Sequence, residues 1–329
     1  MLKQFLAAGL MVLAMTACGT REMPEAVPPP ETAVTEGTDG MSPYTSDTKI
    51  TAVMDDPVFG DCGRLIFPAN SGYYSGDTLG QLRLTYYSHI DPDATVEIAN
   101  YFHDHAQAGE TIFCDIYTDE EKAADPAKED TGLFFFKGEP GAKFAVCSAG
   151  GAFAYVGAMH DSFPHALELS KQGYNAFALI YRPGARTACE DLARAITFIF
   201  EHAGELEVDT DCYSLWGGST GARMAAWLGT YGPAAFGGAL PRPGTVVMQY
   251  TGLSEYSPED PPTYVCVGDS DGIASWRTMQ RRLEAMSALG IDTEFHVYEG
   301  LGHGFGLGTG TAAEGWINDA VTFWESHMK

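Results

Sequence analysis

The chain has 329 residues, enough for one large α/β domain or two small ones. Acidic residues outnumber basic ones 44 to 19, giving a formal charge of −25. No Lys/Arg cluster stands out, which argues against nucleic acid as a partner, because neutralising phosphates needs a basic face. The hydrophobic share is 45%, ordinary for a chain that builds a sizeable core.

The N-terminus begins with a single cation, Lys3, and an apolar run over residues 5–15. That run is too short to anchor stably across a bilayer. It ends in Leu13-Ala14-Met15-Thr16-Ala17-Cys18-Gly19, which resembles the lipobox of bacterial lipoproteins, with Met15 where leucine is usual. The resemblance implies a signal peptide over 1–17, cleavage before Cys18, lipidation of its thiol, and export with the domain held to the outer side of the cell membrane. A plain secretory signal is the alternative. Residues 18–43 are rich in Pro, Thr, Glu and Gly and include Pro28-Pro29-Pro30. Such a segment buries too little apolar surface to offset its ordering entropy, so it reads as a disordered tether.

The domain proper is expected over 44–329, with 44–110 an N-terminal extension that carries no recognised motif. Turn signals at Asp56-Pro57, Asn70-Ser71-Gly72 and Ser75-Gly76-Asp77 make its first part irregular. Alternation predicts a strand over 81–88, and the spacing of Val96, Ala99, Phe102 and Ala106 predicts a helix over 93–108 that stops at Gly109. Strands at 111–117 and 132–137 flank an acidic loop. The pattern then becomes regular. Strands are predicted at 143–148, 176–181, 212–216, 245–250, 263–267 and 293–298. Helices are predicted at 164–171, 190–202, 221–231, 275–289 and 312–327. Continuous apolar strands alternating with amphipathic helices indicate a mostly parallel central sheet covered on both faces, in a single α/β domain. Cys114, Cys147, Cys212 and Cys266 lie in apolar runs and read as reduced core thiols; Cys62 and Cys189 are left open.

The strand at 212–216 runs into Gly217-Gly218-Ser219-Thr220-Gly221, and a helical pattern follows at once. Strand, sharp turn and helix in that order give the Gly-x-Ser-x-Gly pentad its meaning as a nucleophile elbow. A serine nucleophile needs a base, an orienting acid and an oxyanion hole. The strand at 263–267 ends in Gly268-Asp269-Ser270-Asp271-Gly272, and the strand at 293–298 ends in Glu299-Gly300-Leu301-Gly302-His303-Gly304. His303 is the candidate base and Asp271 the preferred acid, with Asp269 as fallback. After the strand at 143–148 comes Ala149-Gly150-Gly151-Ala152-Phe153, placed to donate main-chain N–H groups to an oxyanion. The expected donors are Gly151 or Ala152, together with Thr220. Tyr155, Met159, His160 and Phe163 follow that loop and are candidates to line a substrate pocket, Tyr155 and His160 foremost. His103 and His105 stand two apart on a predicted helix and do not share a face, so no metal is assigned to them.

These motifs, with Tyr181-Arg182 after the next strand, resemble α/β-hydrolase serine esterases of the hormone-sensitive-lipase-like and acetyl-xylan- or feruloyl-esterase-like group. The resemblance runs from about Thr111 to the C-terminus. Two departures are Ala149, where many relatives carry histidine, and Ala152, where they carry a third glycine. The implied activity is hydrolysis of short-acyl esters through an acyl-enzyme, with carbohydrate acetyl or feruloyl esters as candidate substrates and no metal or organic cofactor. A peptidase or thioesterase on the same scaffold, and a non-catalytic binding lipoprotein, are the alternatives.

Overall fold

The computed structural model describes residues 43–68 and 71–328; the expected signal peptide, Cys18 and most of the tether lie outside them. In chain order, the N-terminal segment contributes helix α1 (Ile50–Met54), several 3-10 turns and a small antiparallel ribbon of β1 (Tyr74–Ser75) and β2 (Arg83–Leu84). Helix α2 (Pro92–Gln107) follows, opened by Asp91, whose carboxylate accepts from the Asp93 and Ala94 N–H groups. Next come β3 (Phe113–Cys114), α3 (Asp119–Ala124), β4 (Gly132–Phe136) and β5 (Ala142–Ser148). Helices α4 (Ala158–Asp161) and α5 (Phe163–Lys171) lead to β6 (Asn175–Ile180), α6 (Ala185–Glu201) and α7 (Ala203–Leu206). The second half holds β7 (Val208–Gly218), α8 (Thr220–Tyr231), β8 (Thr245–Gln249), β9 (Thr263–Gly268), α9 (Trp276–Ala288), β10 (Thr293–Tyr298) and α10 (Trp316–Ser326).

Eight strands form one sheet in the order β10-β9-β8-β7-β5-β6-β4-β3. It is parallel from β10 to β6, and β4 and β3 add antiparallel at one edge. Both faces are buried, because successive strand side chains alternate between them. On β4, Phe134 and Phe136 join Phe102 of α2, Phe163 of α5 and Trp324 of α10. Leu133 and Phe135 point the other way, into the layer built from Leu192 of α6, Leu228 of α8 and Met279 of α9. Each fully buried aromatic or aliphatic side chain contributes roughly 1.5–3 kcal/mol. The chain winds outward from β5 to β6 and then back through β7 to β10. The carboxyl ends of β5 and β7 therefore flank the switch in winding direction, where open α/β sheets place their ligands.

The regular half of the chain follows the sequence pattern closely, and the exceptions have local causes. The strand expected over 81–88 is only Arg83–Leu84, because Tyr86 turns the chain with φ +74. The strand expected over 111–117 is only Phe113–Cys114; beyond it the Asp115 carboxylate accepts from the Tyr117 N–H and turns the chain off the edge. The acidic loop carries α3, started by a capping box in which Thr118 and Glu121 satisfy each other's N–H groups. Strand β7 begins at Val208 rather than Cys212. Cys212 takes φ +54 and the pairing with β5 slips between Lys143 and Ala145, so the alternation is interrupted. Helix α6 begins at Ala185, directly after Gly184 with φ +103. Helix α10 begins at Trp316, after Gly315 with φ +89. All six cysteines among the described residues are free, Cys62 half-buried and Cys189 fully buried.

Beside β6, a buried ion pair joins sheet, helix and edge loop. The Asp191 carboxylate has no exposed surface and accepts from Arg182 Nε and Nη2, from the Arg182 main-chain N–H and from the Tyr117 hydroxyl. Removing one partner of such a pair leaves an uncompensated charge. Asp191→Ala is expected to lower the free energy of unfolding in urea by about 3 kcal/mol, and a loss under ~1 kcal/mol would show the network to be a solvated surface pair.

Candidate active site

The turn after β7 is built by close contacts. A Cβ on Gly221 would run into the Ser148 carbonyl, one on Gly217 into the Gly221 backbone, and one on Gly218 into the Asp161 carboxylate. Only glycine fits at these three positions. Ser219 itself stands at φ +52, ψ −115, a conformation that costs a non-glycine residue on the order of 1–3 kcal/mol and needs rigid surroundings to hold it. Its N–H is tied to the Gln249 carbonyl at the end of β8, 2.9 Å away. The side chain is lifted clear of the sheet, with α8 starting at the next residue.

Two further strand ends supply the partners. The Ser219 hydroxyl donates to His303 Nε2 at 3.0 Å, and His303 Nδ1–H donates to Asp271 Oδ2 at 2.7 Å. Both side chains of that second pair are nearly or wholly shielded from solvent. The other Asp271 oxygen accepts from the Ile273 and Ala274 N–H groups, so the carboxylate is held before it meets the imidazole. Asp269 is occupied elsewhere: its Oδ1 accepts from the Gly300 N–H at 2.8 Å and pins the two loops together. Of the two aspartates proposed from the sequence, Asp271 is the one brought to His303.

The loop after β5 lies against the serine. A Cβ on Gly150 would stand 2.7 Å from that of Ser219. Gly151, Ala152 and Phe153 all take positive φ, at +139, +55 and +57, which curls the loop. Among the described residues the N–H groups of Gly151, Ala152 and Thr220 have no protein acceptor. Thr220 is the first residue of α8, where the helix N-terminus also favours negative charge. The Ala149 carbonyl, at the loop's base, accepts from the Tyr181 hydroxyl at 2.7 Å. Phe153 stacks on Trp227 of α8, centroids 6.0 Å apart.

The two pocket candidates sit differently from the triad. Tyr155 is buried, stacked on Tyr73 at 4.6 Å, and its hydroxyl donates to the Thr85 carbonyl. His160 is buried and donates from Nε2 to the Gly304 carbonyl at 3.2 Å. Burial pushes its pKa down to about 4, so the ring is neutral at ordinary pH. The Tyr155 hydroxyl and His160 Nε2 are spent on the loops that frame the site. Met159 and Phe163 are core residues. His103 and His105 pair with the neighbouring carboxylates of Asp104 and Glu110, and no group of three or more metal-ligating side chains occurs among the described residues.

One residue of the site escaped the sequence reading. Asp161, the last residue of α4, has no exposed surface and forms no ion pair among the described residues. It accepts from the Gly150 N–H at 2.5 Å, from the Tyr87 hydroxyl at 3.0 Å and from the Tyr250 hydroxyl. Burial raises its pKa to about 6, while the Tyr250, Gly150 and Tyr87 hydrogen bonds and nearby His303 pull the other way. The one signal was a carboxylate among Ala158-Met159-His160-Asp161-Ser162-Phe163, just beyond a glycine loop. Because the folded-state pKa lies above the ordinary value, this group's contribution to stability is present below about pH 4 and is lost as pH rises through about 6. The stability of Asp161→Asn relative to wild type should therefore improve between pH 4.5 and 7.5 in urea titrations. A difference that is the same at both pH values would mean that Asp161 ionises as an exposed carboxylate does.

Residues 137–242 match the family model BD-FAE; no curated protein matches the chain. Among solved structures, the chain is similar to an acetyl ester-xyloside bifunctional hydrolase from Caldicellulosiruptor lactoaceticus, with 19% identity and a TM-score of 0.57, over 65% of this chain and 95% of that one. A thermophilic esterase from the planctomycete Thermogutta terrifontis, solved with propionate bound, aligns with 19% identity and a TM-score of 0.54, over 65% and 93%. MGS-M1, an alpha/beta hydrolase enzyme from a Medee basin deep-sea metagenome library, aligns with 19% identity and a TM-score of 0.52, over 60% and 93%. With this sheet order, and with a serine elbow at the switch point, the chain has the α/β-hydrolase fold.

Proposed function

We propose that the protein is a serine carboxylesterase acting on short-acyl esters. The observation that carries this reading is the unbroken chain from Ser219 Oγ to His303 Nε2, 3.0 Å, and from His303 Nδ1 to Asp271 Oδ2, 2.7 Å. Ser219 attacks the ester carbonyl carbon while its proton passes to His303. Asp271 holds the imidazole in the tautomer that accepts at Nε2 and stabilises the imidazolium. The oxyanion of the tetrahedral intermediate is held by Thr220 N–H with Gly151 or Ala152 N–H, groups with no protein acceptor among the described residues. Collapse of the intermediate expels the alcohol, which takes the proton from His303. Water then repeats the attack on the acyl-enzyme and frees the acid.

Three features support this reading, the first of them the small acyl group. Between the strand ends that carry the triad, the chain holds only helices α8 and α9, strand β8, a 3-10 turn and connecting loops, and no inserted lid. The family-model match and the esterase and acetyl ester-xyloside hydrolase neighbours agree with an ester substrate, and acetylated or feruloylated carbohydrate is the substrate class we favour. The Phe153–Trp227 stack beside the oxyanion loop offers an apolar, aromatic face to such a substrate. We further infer export and membrane attachment through lipidated Cys18, from the lipobox-like segment alone. Incorporation of an alkyne-labelled fatty acid in a bacterial host, lost in Cys18→Ser, tests that inference.

On 4-nitrophenyl acetate, Ser219→Ala is expected to lose ~10⁴–10⁶ in kcat, and unchanged turnover would remove the serine from the mechanism. Asp271→Asn should cost ~10⁴ in kcat, whereas Asp269→Asn should stay within a few-fold of wild type. Acetyl and butyryl esters should be turned over faster than octanoyl esters, and acetylated xylose more readily than peptides. Peptide cleavage at rates matching ester cleavage would make the protein a peptidase instead.

A further inference from the structure

The catalytic reading leaves residues 44–110 without a task, yet one stretch of them lies inside the site. Residues 85–88 run between the oxyanion loop and the histidine loop. Toward the histidine loop, the Ser88 hydroxyl donates to the His303 carbonyl at 2.5 Å and the Ser88 N–H donates to the Gly304 carbonyl at 3.2 Å. Gly304, at φ +73, has no room for a Cβ, which would stand 2.7 Å from the Tyr86 carbonyl oxygen. Toward the oxyanion loop, the Tyr155 hydroxyl donates to the Thr85 carbonyl. The Tyr87 hydroxyl donates to Asp161, which itself receives the Gly150 N–H. A Cβ on Gly150 would stand 2.9 Å from that hydroxyl and 2.7 Å from Ser219 Cβ. The Tyr87 ring also packs edge-on against His160, whose Nε2–H holds the Gly304 carbonyl.

Core packing does not require these choices. Phenylalanine would fill the volume of the Tyr87 ring, and Ser88 is exposed and adds nothing to the core. Tyr86 is held at φ +74 with its side chain half in solvent. A backbone strain of that kind is kept where the surrounding contacts demand it. The segment also lies outside the matched residues 137–242.

We propose that residues 85–88 are a strap that fixes the oxyanion loop and the His303 loop relative to one another, with Tyr87 and Ser88 as positioning residues for the reaction. This rests on the triad reading above. Tyr87 acts through Asp161: its hydroxyl and that of Tyr250 favour the ionised carboxylate, and that carboxylate holds Gly150 and so aims the N–H groups after it. The other titratable groups facing Asp161 are Tyr155, Tyr181, Cys147 and His303, and His165 Nδ1–H donates to its main-chain carbonyl at 2.7 Å. Removing the Tyr87 hydroxyl takes away a bond made to the charged form. The carboxylate then gains its proton at higher pH.

The test compares kcat, KM and the pH dependence of kcat on 4-nitrophenyl acetate for wild type, Tyr87→Phe, Ser88→Ala, Ser88→Thr and Ser219→Ala, with rates referred to folded protein by circular dichroism. Tyr87→Phe is expected to lower kcat about tenfold with KM within about twofold, and to move the acid limb upward. Ser88→Ala should lower kcat about threefold, and Ser88→Thr should restore it. Wild-type kcat and acid limb in Tyr87→Phe, or a loss that vanishes when rates are referred to folded protein, would overturn the strap. Should Tyr87→Phe fail to fold, the exposed Ser88 pair decides, and wild-type kcat in Ser88→Ala overturns it equally. Full turnover in Ser219→Ala would instead overturn the triad reading, leaving the two failures distinguishable.

Discussion

Everything in this site hangs on how tightly the main chain can be folded back on itself at Ser219. Glycines at 217, 218 and 221 let the end of β7, the start of α8, the end of β5 and the Asp161 carboxylate share a space in which no Cβ fits. That compression turns the serine out of the sheet and into a backbone conformation it would not choose. It also brings the loop after β5 against the serine, so nucleophile and oxyanion donors are positioned by one set of contacts. Five of the seven non-glycine residues with positive φ among the described residues are Tyr86, Ala152, Phe153, Ser219 and Tyr250. Each is in the site or next to a residue that is.

Strain of this kind has to be held by something rigid, and the site uses a buried carboxylate for it. Among the described residues Asp161 forms no ion pair, and it is satisfied by hydroxyl and main-chain donors drawn from three separate regions: Tyr87 from the N-terminal segment, Gly150 from the loop after β5, and Tyr250 from the end of β8. An unpaired charge would be costly at such a place. Shared among donors from distant parts of the chain, it becomes a junction that none of those segments can leave alone. The apolar core supplies the bulk of the stability, and this junction converts it into definite geometry at the reacting atoms.

The sheet and the triad were legible in the sequence because their signals are local. An apolar run that ends in Gly-x-Ser-x-Gly, or in Gly-Asp-Ser-Asp, carries its strand, its turn and its functional side chain within a dozen residues. The strand ends were misread where a single residue departed from the periodicity: Cys212 by a left-handed turn inside β7, Asp115 by a side-chain bond that bends the edge, Tyr86 by φ +74. The choice between Asp269 and Asp271 depended on which carboxylate the His303 loop approaches, a distance no spacing encodes. Asp161 and the strap were invisible for the same reason in stronger form. Tyr87 and Asp161 are 74 residues apart and Ser88 and His303 are 215 apart. Neither residue in those pairs belongs to a pattern that would have called for the other.

The thiols have a consequence for how this fold can be made. Each cysteine among the described residues is free, and burial raises the pKa of five of them, Cys62, Cys114, Cys147, Cys189 and Cys266, away from the range in which a thiolate forms at neutral pH. The thiolate is the species that exchanges with disulfides and reacts with oxidants. At these five positions the folded chain is thus slow to react with either, and no cross-link among the described residues ties its architecture to the redox potential around it. Folding of the described residues therefore calls on no disulfide-forming catalyst.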